Sequence, residues 1–416
     1  MNFENIRSRK ILRAQLRRAD TDQRELIGVN WKLIAEGAEK SETWFYAIDL
    51  ESLKARVKGL QKALNDLQNL YRTNISKSDW APALIKLAEE GQALYETLMT
   101  GSSEKSGYIK NAVFFREWFE ANVADAALGE YDIHFQLGVV KPLIPWGLTF
   151  TPRAGRSLNS LEGNYDEFKD FWCIRHNLMS YSDHSNRPKL EPKPMKGDDF
   201  TLTVVCEEEK GHSLWKLSLE SLRSEEMPTS KEDLKNFVDT KTSFSQLMYF
   251  NPNPSSRFIS VGSDELLPSE LFEMFSQVGK RIERMKKRNG IKVTAGFAFV
   301  DQEAIFHGEQ GEEWIDTFMG SQWGGVIAAE VSFSNQALRG FGVLLFNRII
   351  NAEEPASETI SKIRKEFWPF SLLYGVYYNV EQLYLKPQPD FAKAVREISD
   401  QLPHLNFVKG KSDYAS

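Results

Sequence analysis

The residues with the greatest capacity for covalent chemistry are two cysteines, the only ones in the chain. A thiolate acts as a nucleophile when a neighbouring base takes up its proton. Cys206 ends a predicted strand over residues 200–206, where loops open and a substrate can enter. Glutamates follow at 207–209, and nearby carboxylates raise the pKa of a thiol, which disfavours the thiolate. We interpret His212 as a surface histidine, so Cys206 stays only as an alternative nucleophile.

Cys173 lies inside a predicted strand over residues 171–181. His176 follows three residues later, and successive side chains of a strand point to opposite faces. The two side chains are therefore expected on opposite sides of the sheet. A buried cysteine is the simplest interpretation, because free cysteine is among the most frequently buried residue types.

Metal and phosphate chemistry find little support in the sequence. His307 stands beside Gly308, Glu309 and Glu312, but this spacing matches no metal-binding motif, and a solvated acidic loop is the favoured interpretation. Two cysteines exclude a site built from four thiolates. Neither a phosphate-binding GxxxxGK[ST] loop nor a GxSxG nucleophile turn occurs in the chain. We expect no metal and no cofactor.

Composition places the chain among globular proteins. Of its 416 residues, 41% are hydrophobic and 26% are charged. A formal charge of −6 argues against a nucleic-acid surface as the main function. No apolar run has the length of a membrane span, and no signal-peptide pattern opens the chain. With so few cysteines, a reducing cytoplasm is the expected compartment.

Helical patterns occur in three parts of the first hundred residues. Residues 1–19 form a basic arm, interpreted as a solvated helix with a small docking face, or else as an arm that binds an acidic partner. Apolar residues between 50 and 71 alternate at spacings of three and four, which predicts a helix. A second helix is predicted over residues 78–100. Together these predict an antiparallel helical hairpin within residues 20–107.

Strand patterns dominate from residue 131 onward. Further strands are predicted over 131–137, 243–250 and 291–300, and an amphipathic helix over 269–288. Residues 324–386 organise this part: a strand, a helix capped at Ser334 or Asn335, a second helix from about Ser357, and a closing strand. This order predicts a mostly parallel α/β sheet flanked by helices. A last helix is predicted over 390–402.

Three groups of residues resemble the CHAT domains, which are bacterial caspase-like modules of the caspase–separase clan. The first group resembles the C-terminal end of these domains and comprises Gly325, Ile327, Glu330, Arg364, Lys365, Phe367 and 372–377. The second is the Pro-Trp-Gly-Leu turn at 145–148, which contains Trp146. The third is a Phe-Trp-x-x-Arg-His segment, which contains Trp172 and Arg175. The resemblance implies a caspase-like fold over residues 108–388, preceded by the arm and hairpin and followed by a C-terminal helix and tail at 389–416.

The resemblance also implies a Cys–His dyad at the ends of two neighbouring parallel strands. The histidine typically follows the strand that resembles residues 243–250, but Asn251 and Asn253 stand there instead. The cysteine typically follows the strand that resembles 291–300, where the sequence has Asp301, Gln302 and Glu303. Amides can supply neither the thiolate nor its base. These five residues form the predicted pseudo-active site. Its polar groups are expected either to bind a basic segment of a partner or of this chain's own N-terminal arm, or to be solvated loop ends without a ligand.

The sequence therefore predicts a catalytically inactive caspase-like protein. By resemblance, it acts as a protein-binding regulator or scaffold, in bacterial defence or stress signalling. Two alternatives stay open: an active cysteine peptidase that uses Cys206, and a purely structural subunit of a larger complex. We expect a protein partner, with neither a nucleic acid nor a membrane involved.

Overall fold

A computed structural model describes the fold of the chain, which divides into two compact units. Unit 1 comprises Met1–Asp66 and Lys77–Asp183, and unit 2 comprises Leu67–Ser76 and His184–Ser416. The structure describes residues 10–19, 25–34, 42–71, 76–124, 126, 130–137, 143–151, 157–182, 195–196, 201–205, 225–226, 228–240, 246–252, 257–289, 296–301, 303–307, 311–318, 323–334, 338, 341–350, 356–377 and 385–386.

Unit 1 contains a five-stranded sheet of mixed orientation. Its strands are β1 (Lys10–Arg18), β2 (Leu26–Ile34), β3 (Thr43–Asp49), β4 (Tyr131–Leu137) and β5 (Asn177–Ser182). They lie in the order β3-β2-β1-β4-β5. β2 is antiparallel to both of its neighbours, whereas β1, β4 and β5 run parallel. The part of the chain from 108 to 183, which the resemblance assigns to the caspase-like region, thus contributes to the sheet of unit 1.

The prediction of a helix at the N-terminus is wrong for residues 10–18. This segment is β1, the central strand of the sheet, and not a solvated helix. Leu12, Ala14 and Leu16 are all buried, which is the period of two that a strand requires. Residues 1–9 of the basic arm lie outside the described residues.

Three long helices follow β3 in the chain: α1 (Leu50–Asn69), whose residues from Leu67 onward belong to unit 2, and α2 (Lys77–Leu98) and α3 (Ser106–Phe119) of unit 1. The first two confirm the predicted helices, and the seam residues Leu53, Val57, Leu60 and Leu64 of α1 are buried. Lys86 of α2 forms an ion pair of 2.6 Å with Asp66 of α1. The hairpin arrangement stays a prediction. Three strands precede these helices, so the region predicted as helical is itself mixed.

The segment 171–181 differs from the single strand that was predicted. It begins with a short helix, α4 (Trp172–Arg175), and only then continues as β5. The chain turns here because the Trp172 backbone N–H donates to the carbonyl of Thr149, and the indole Nε1–H donates to Thr151 Oγ1 at 2.8 Å. Cys173 is consequently a half-buried helical residue and not part of a strand.

Unit 2 contains a six-stranded sheet. Its strands are β7 (Thr201–Val205), β8 (Glu225–Glu226), β9 (Gln246–Phe250), β12 (Gly296–Val300), β13 (Trp323–Ala329) and β14 (Tyr374–Val376), in the order β14-β13-β12-β9-β7-β8. β7, β8, β9, β12 and β13 are mutually parallel, and β14 is antiparallel to β13. Two small sheets pair β6 (Met195–Lys196) with β15 (Leu385–Lys386) and β10 (Ile259–Val261) with β11 (Asp264–Leu266).

The helices of unit 2 are α5 (Lys231–Thr240), α6 (Pro268–Asn289), α7 (Gly311–Phe318), α8 (Phe341–Ile350) and α9 (Ala356–Glu366). α6 and α9 confirm predicted helices. α8 begins at Phe341, later than the predicted cap at Ser334 or Asn335. The predicted helix over 390–402 lies outside the described residues. The chain is thus a mixed α/β protein, and none of its described helices has the length and apolar character needed to cross a membrane.

Candidate functional site

The candidate site lies where the parallel strands of unit 2 end. β9 and β12 are adjacent and parallel, with Phe250 opposite Val300, which confirms the strand pairing that the resemblance predicts. β7 lies on the other side of β9, with Val205 opposite Phe250. The three strands therefore end at the same height in the sheet. The alignment of β9 with β12 extends one residue further, because the Asp301 backbone N–H donates to the carbonyl of Phe250 at 2.9 Å. Residues that follow these strands therefore emerge at one edge of the sheet.

Three of the five predicted pseudo-active-site residues can be placed. Asn251 is half-buried directly after β9, Asp301 is fully buried directly after β12, and Glu303 is buried two residues later. Asn253 and Gln302, the positions matched to the dyad, lie outside the described residues. Asn251 and Asp301 thus stand at the ends of neighbouring strands.

Asp301 is held inside the protein by two tyrosines. The hydroxyls of Tyr249 on β9 and Tyr374 on β14 both donate to its carboxylate. The carboxylate also lies against the first turn of α8, so closely that a Cβ at Gly342 would overlap it. A helix N-terminus favours a negative charge. Asp301 therefore ties β9, β14 and α8 together in the core and is not displayed to a partner.

A second polar cluster lies at the end of β13, formed by Glu330, His307 and Tyr377. The carboxylate of Glu330 accepts a hydrogen bond from the hydroxyl of Tyr377 at 2.7 Å and lies 2.9 Å from His307 Nε2. The side chains of His307 and Glu330 are each only 4% exposed. Burial, and then the negative charge of Glu330, raises the pKa of Tyr377 well above its usual value. The interpretation of His307 as part of a solvated loop is therefore wrong.

The second cluster orients an imidazole in the way that general bases are oriented. When Nε2 carries the proton and donates it to Glu330, the lone pair of His307 lies on Nδ1. Nδ1 is buried and has no hydrogen-bond partner among the described residues. A base requires a nucleophile within hydrogen-bond reach. In the part of the chain that the structure describes, no thiol belongs to unit 2, since Cys173 lies in unit 1.

The strand that precedes Cys206 in the sequence, β7, is three strands from β13 in the sheet. Cys206 follows β7, whereas the partner of His307, Glu330, follows β13, and β9 and β12 lie between those strands. Three strand spacings amount to about 14 Å. Cys206 itself lies outside the described residues.

No protein-family model matches the chain, and no curated protein matches it either. The arguments on function accordingly depend on the residues and their geometry. Within the described residues, no group of three or more histidine, cysteine or acidic side chains could hold a metal ion.

Most of the residues that carry the resemblance are buried, in unit 1 and in unit 2, whereas Lys365 is exposed. In unit 1, Trp146 stacks on Phe135 with ring centroids 3.9 Å apart, and Arg175 forms an ion pair of 3.4 Å with Asp170. In unit 2, the guanidinium of Arg364 donates to the carbonyls of Ser371 and Tyr374 at 3.0 and 3.1 Å. These side chains thus stabilise turns and packing, as fold-determining residues do.

We expect acid to destabilise unit 1 through its buried histidines. Burial, and then the neighbouring Arg175 guanidinium, lowers the pKa of His176 to about 3, and burial followed by Arg13 lowers that of His134 to about 4. The unfolded chain takes up these protons near pH 6.5, so stability is complete above that pH and falls toward pH 3. For His176 alone, the loss between pH 6.5 and pH 5 is about 2 kcal/mol.

The check is denaturation at several pH values, monitored by tryptophan fluorescence. His176→Leu should flatten the dependence of the unfolding free energy on pH. Because slopes are compared, a uniform change in stability does not affect the result. A slope equal to that of the parent would show that the pKa of His176 is the same in the folded and the unfolded protein.

Proposed function

We propose that the chain is a catalytically inactive caspase-like protein of the CHAT type, which binds a protein partner as a regulator or scaffold. The observation that carries this proposal is the parallel pairing of β9 with β12. A Cys–His dyad of this clan requires two neighbouring parallel strands that end opposite each other, and β9 and β12 do so. The residues that follow are Asn251 and Asn253 on one side and Asp301, Gln302 and Glu303 on the other, with neither a thiol nor an imidazole among them.

The bonding of Asp301 also supports an inactive site. A carboxylate that accepts hydrogen bonds from the buried hydroxyls of Tyr249 and Tyr374 serves the core and is not available to a substrate. The proposal therefore assigns partner binding to the loops that follow the strands. From the resemblance alone, it also includes a cytoplasmic location and a role in bacterial defence or stress signalling.

The alternative peptidase would depend on Cys206. The glutamates at 207–209 beside Cys206 disfavour its thiolate, and the imidazole that the structure describes in unit 2, that of His307, is paired with the carboxylate of Glu330. A purely structural subunit is the remaining alternative, and it shares the prediction that no dyad operates. These observations favour an inactive protein over a peptidase.

Cleavage assays distinguish these functions. The purified chain should neither process itself nor cleave a denatured protein substrate over a long incubation. Cys206→Ala should be indistinguishable from the parent, and both should retain any partner that copurifies with the chain. Cleavage by the parent that disappears in Cys206→Ala would overturn the proposal. A partner lost in that variant would place binding at the end of β7.

A further inference from the structure

One side of α3 exposes large apolar residues, although the helix also packs on the sheet of unit 1. The packed side consists of the buried residues Ala112, Phe115 and Phe119. On the opposite side, Ile109, Val113 and Phe114 are 42%, 44% and 51% exposed. Single exposed apolar residues are common on protein surfaces, but three on one side of a helix form a patch, which is typical of an interaction site.

Two opposite charges lie within this patch. Lys110 and Glu117 are both exposed. They are seven residues apart, which is two turns or about 10.5 Å along a helix, so they lie on one line with Val113 and Phe114 between them. We call this set the outer face of α3; it consists of Ile109, Lys110, Val113, Phe114 and Glu117.

Neither charge of the outer face has a partner on α3 itself. Side chains interact along a helix at spacings of three or four residues, and those positions around Lys110 and Glu117 hold no residue of opposite charge. Among the described residues, neither forms an ion pair, whereas the neighbouring Arg116 pairs with Glu120 at 2.8 Å. The ammonium of Lys110 instead lies 5.6 Å from the ring centre of Phe114, so its stem follows the outer face.

We infer that the outer face of α3 binds the same face of a second copy of the chain, with the two helices antiparallel about a two-fold axis. The axis passes between Val113 and Phe114. Lys110 precedes Val113 by three residues, and Glu117 follows Phe114 by three. Lys110 therefore lies opposite Glu117 of the second copy, and Glu117 lies opposite its Lys110, so the dimer contains two ion pairs on either side of an apolar centre.

The charge pattern fits a second copy in this arrangement better than other occupants. A two-fold interface requires a patch that is complementary to itself, and opposite charges at equal distances from the axis meet this requirement. In a parallel arrangement, each Lys110 would face Lys110 and each Glu117 would face Glu117. One position further out, the antiparallel arrangement brings Ile109 opposite the half-buried Trp118, which extends the apolar contact.

The proposed interface is small, so we expect a weak dimer. α3 has 14 residues and is therefore about 21 Å long. An interface of this length lies at the lower end of the known sizes, and a dissociation constant on the order of 10 μM is expected. Dilute protein is then monomeric, and the loss of one exposed side chain of the outer face has little effect on its melting temperature. The interface belongs to unit 1, so the inference is independent of the vacant dyad in unit 2.

Sedimentation equilibrium of the full chain at increasing concentrations tests the inference. The parent should dimerise. Lys110→Glu and Glu117→Lys each place like charges opposite one another twice per dimer, so each should weaken association about tenfold. The double variant Lys110→Glu/Glu117→Lys restores opposite charges and should dimerise as the parent does. An equimolar mixture of the two single variants should also associate, because all of its facing pairs are again of opposite charge.

The matched control is Lys58→Glu, which makes the same change of charge at an exposed position of α1 and should retain the affinity of the parent. If a reversed-charge variant does not fold, Lys110→Gln and Glu117→Gln should show a smaller loss in the same direction. The inference is overturned if the parent is monomeric at every concentration, if neither the double variant nor the mixture restores association, or if the control loses as much affinity. A monomeric parent whose Val113→Glu variant loses a copurifying protein would also overturn it, and would assign the outer face to a different partner.

Discussion

Replacement of Asp301 by alanine is expected to lower the free energy of unfolding by about 3–5 kcal/mol. The fully buried carboxylate accepts hydrogen bonds from the hydroxyls of Tyr249 and Tyr374 and lies against the start of α8. Removing it deprives both buried hydroxyls of this acceptor and leaves a void beside the helix. Denaturant titration of the variant and the parent measures the loss.

The controls separate the contribution of this contact from a general effect of losing a negative charge. Asp166→Ala removes an exposed carboxylate whose ion pair with Lys169 is also on the surface, and it should change stability by less than about 0.5 kcal/mol. Asp301→Asn keeps the shape of the side chain and should lie between the two. An Asp301→Ala variant as stable as the parent would contradict the assignment of Asp301 to the core. It would instead favour the expectation that this carboxylate binds a partner.

Trp146→Ala should destabilise unit 1 by about 3–5 kcal/mol. The indole is 4% exposed and stacks on Phe135 of β4 at an interplanar angle of 11°. Phe135 in turn lies 6.4 Å from Trp31 of β2, so the indole completes an aromatic layer on the sheet. A cavity of this size cannot be filled by small shifts of such rigid rings.

The matched control for Trp146 is Phe114→Ala. Phe114 is also aromatic, but it is 51% exposed on α3, and its loss should change the melting temperature little. Trp146→Phe should retain part of the stacking and give an intermediate value. Equal melting temperatures for Trp146→Ala and the parent would contradict the packing described here.

Patterns within a short window of sequence could be interpreted correctly. The spacing of three and four along residues 50–71 predicts α1, and the apolar runs ending at Phe250 and Val300 predict β9 and β12. The burial of α1 repeats with the period of a helix, whereas β9 and β12 are short apolar runs that are buried on both faces, as strands inside a parallel sheet are. The pairing of β9 with β12 followed from the resemblance and from the rule that neighbouring parallel strands end at one edge.

Contacts between distant residues could not be predicted in this way. β1 pairs with β4, more than a hundred residues away along the chain. The basic residues of β1 made the segment resemble a solvated helix, although Leu12, Ala14 and Leu16 alternate as in a strand. His307 lies 23 residues from Glu330 and 70 from Tyr377, so nothing in its own segment indicates a buried cluster. Asp301 accepts a hydrogen bond from the hydroxyl of Tyr374, which lies 73 residues later in the sequence. A polar residue is assigned to the surface by default, and only its partners reveal burial.

The most direct test of the central claim, that no cysteine nucleophile operates, is covalent labelling followed by intact-mass measurement. The full chain is treated with a peptidyl electrophile that reacts with activated thiolates, alongside Cys206→Ala and Cys173→Ala. We predict no peptide adduct on any of the three proteins under conditions that label an active cysteine peptidase completely. A single adduct on the parent and on Cys173→Ala that is absent from Cys206→Ala would contradict the account and identify Cys206 as a working nucleophile.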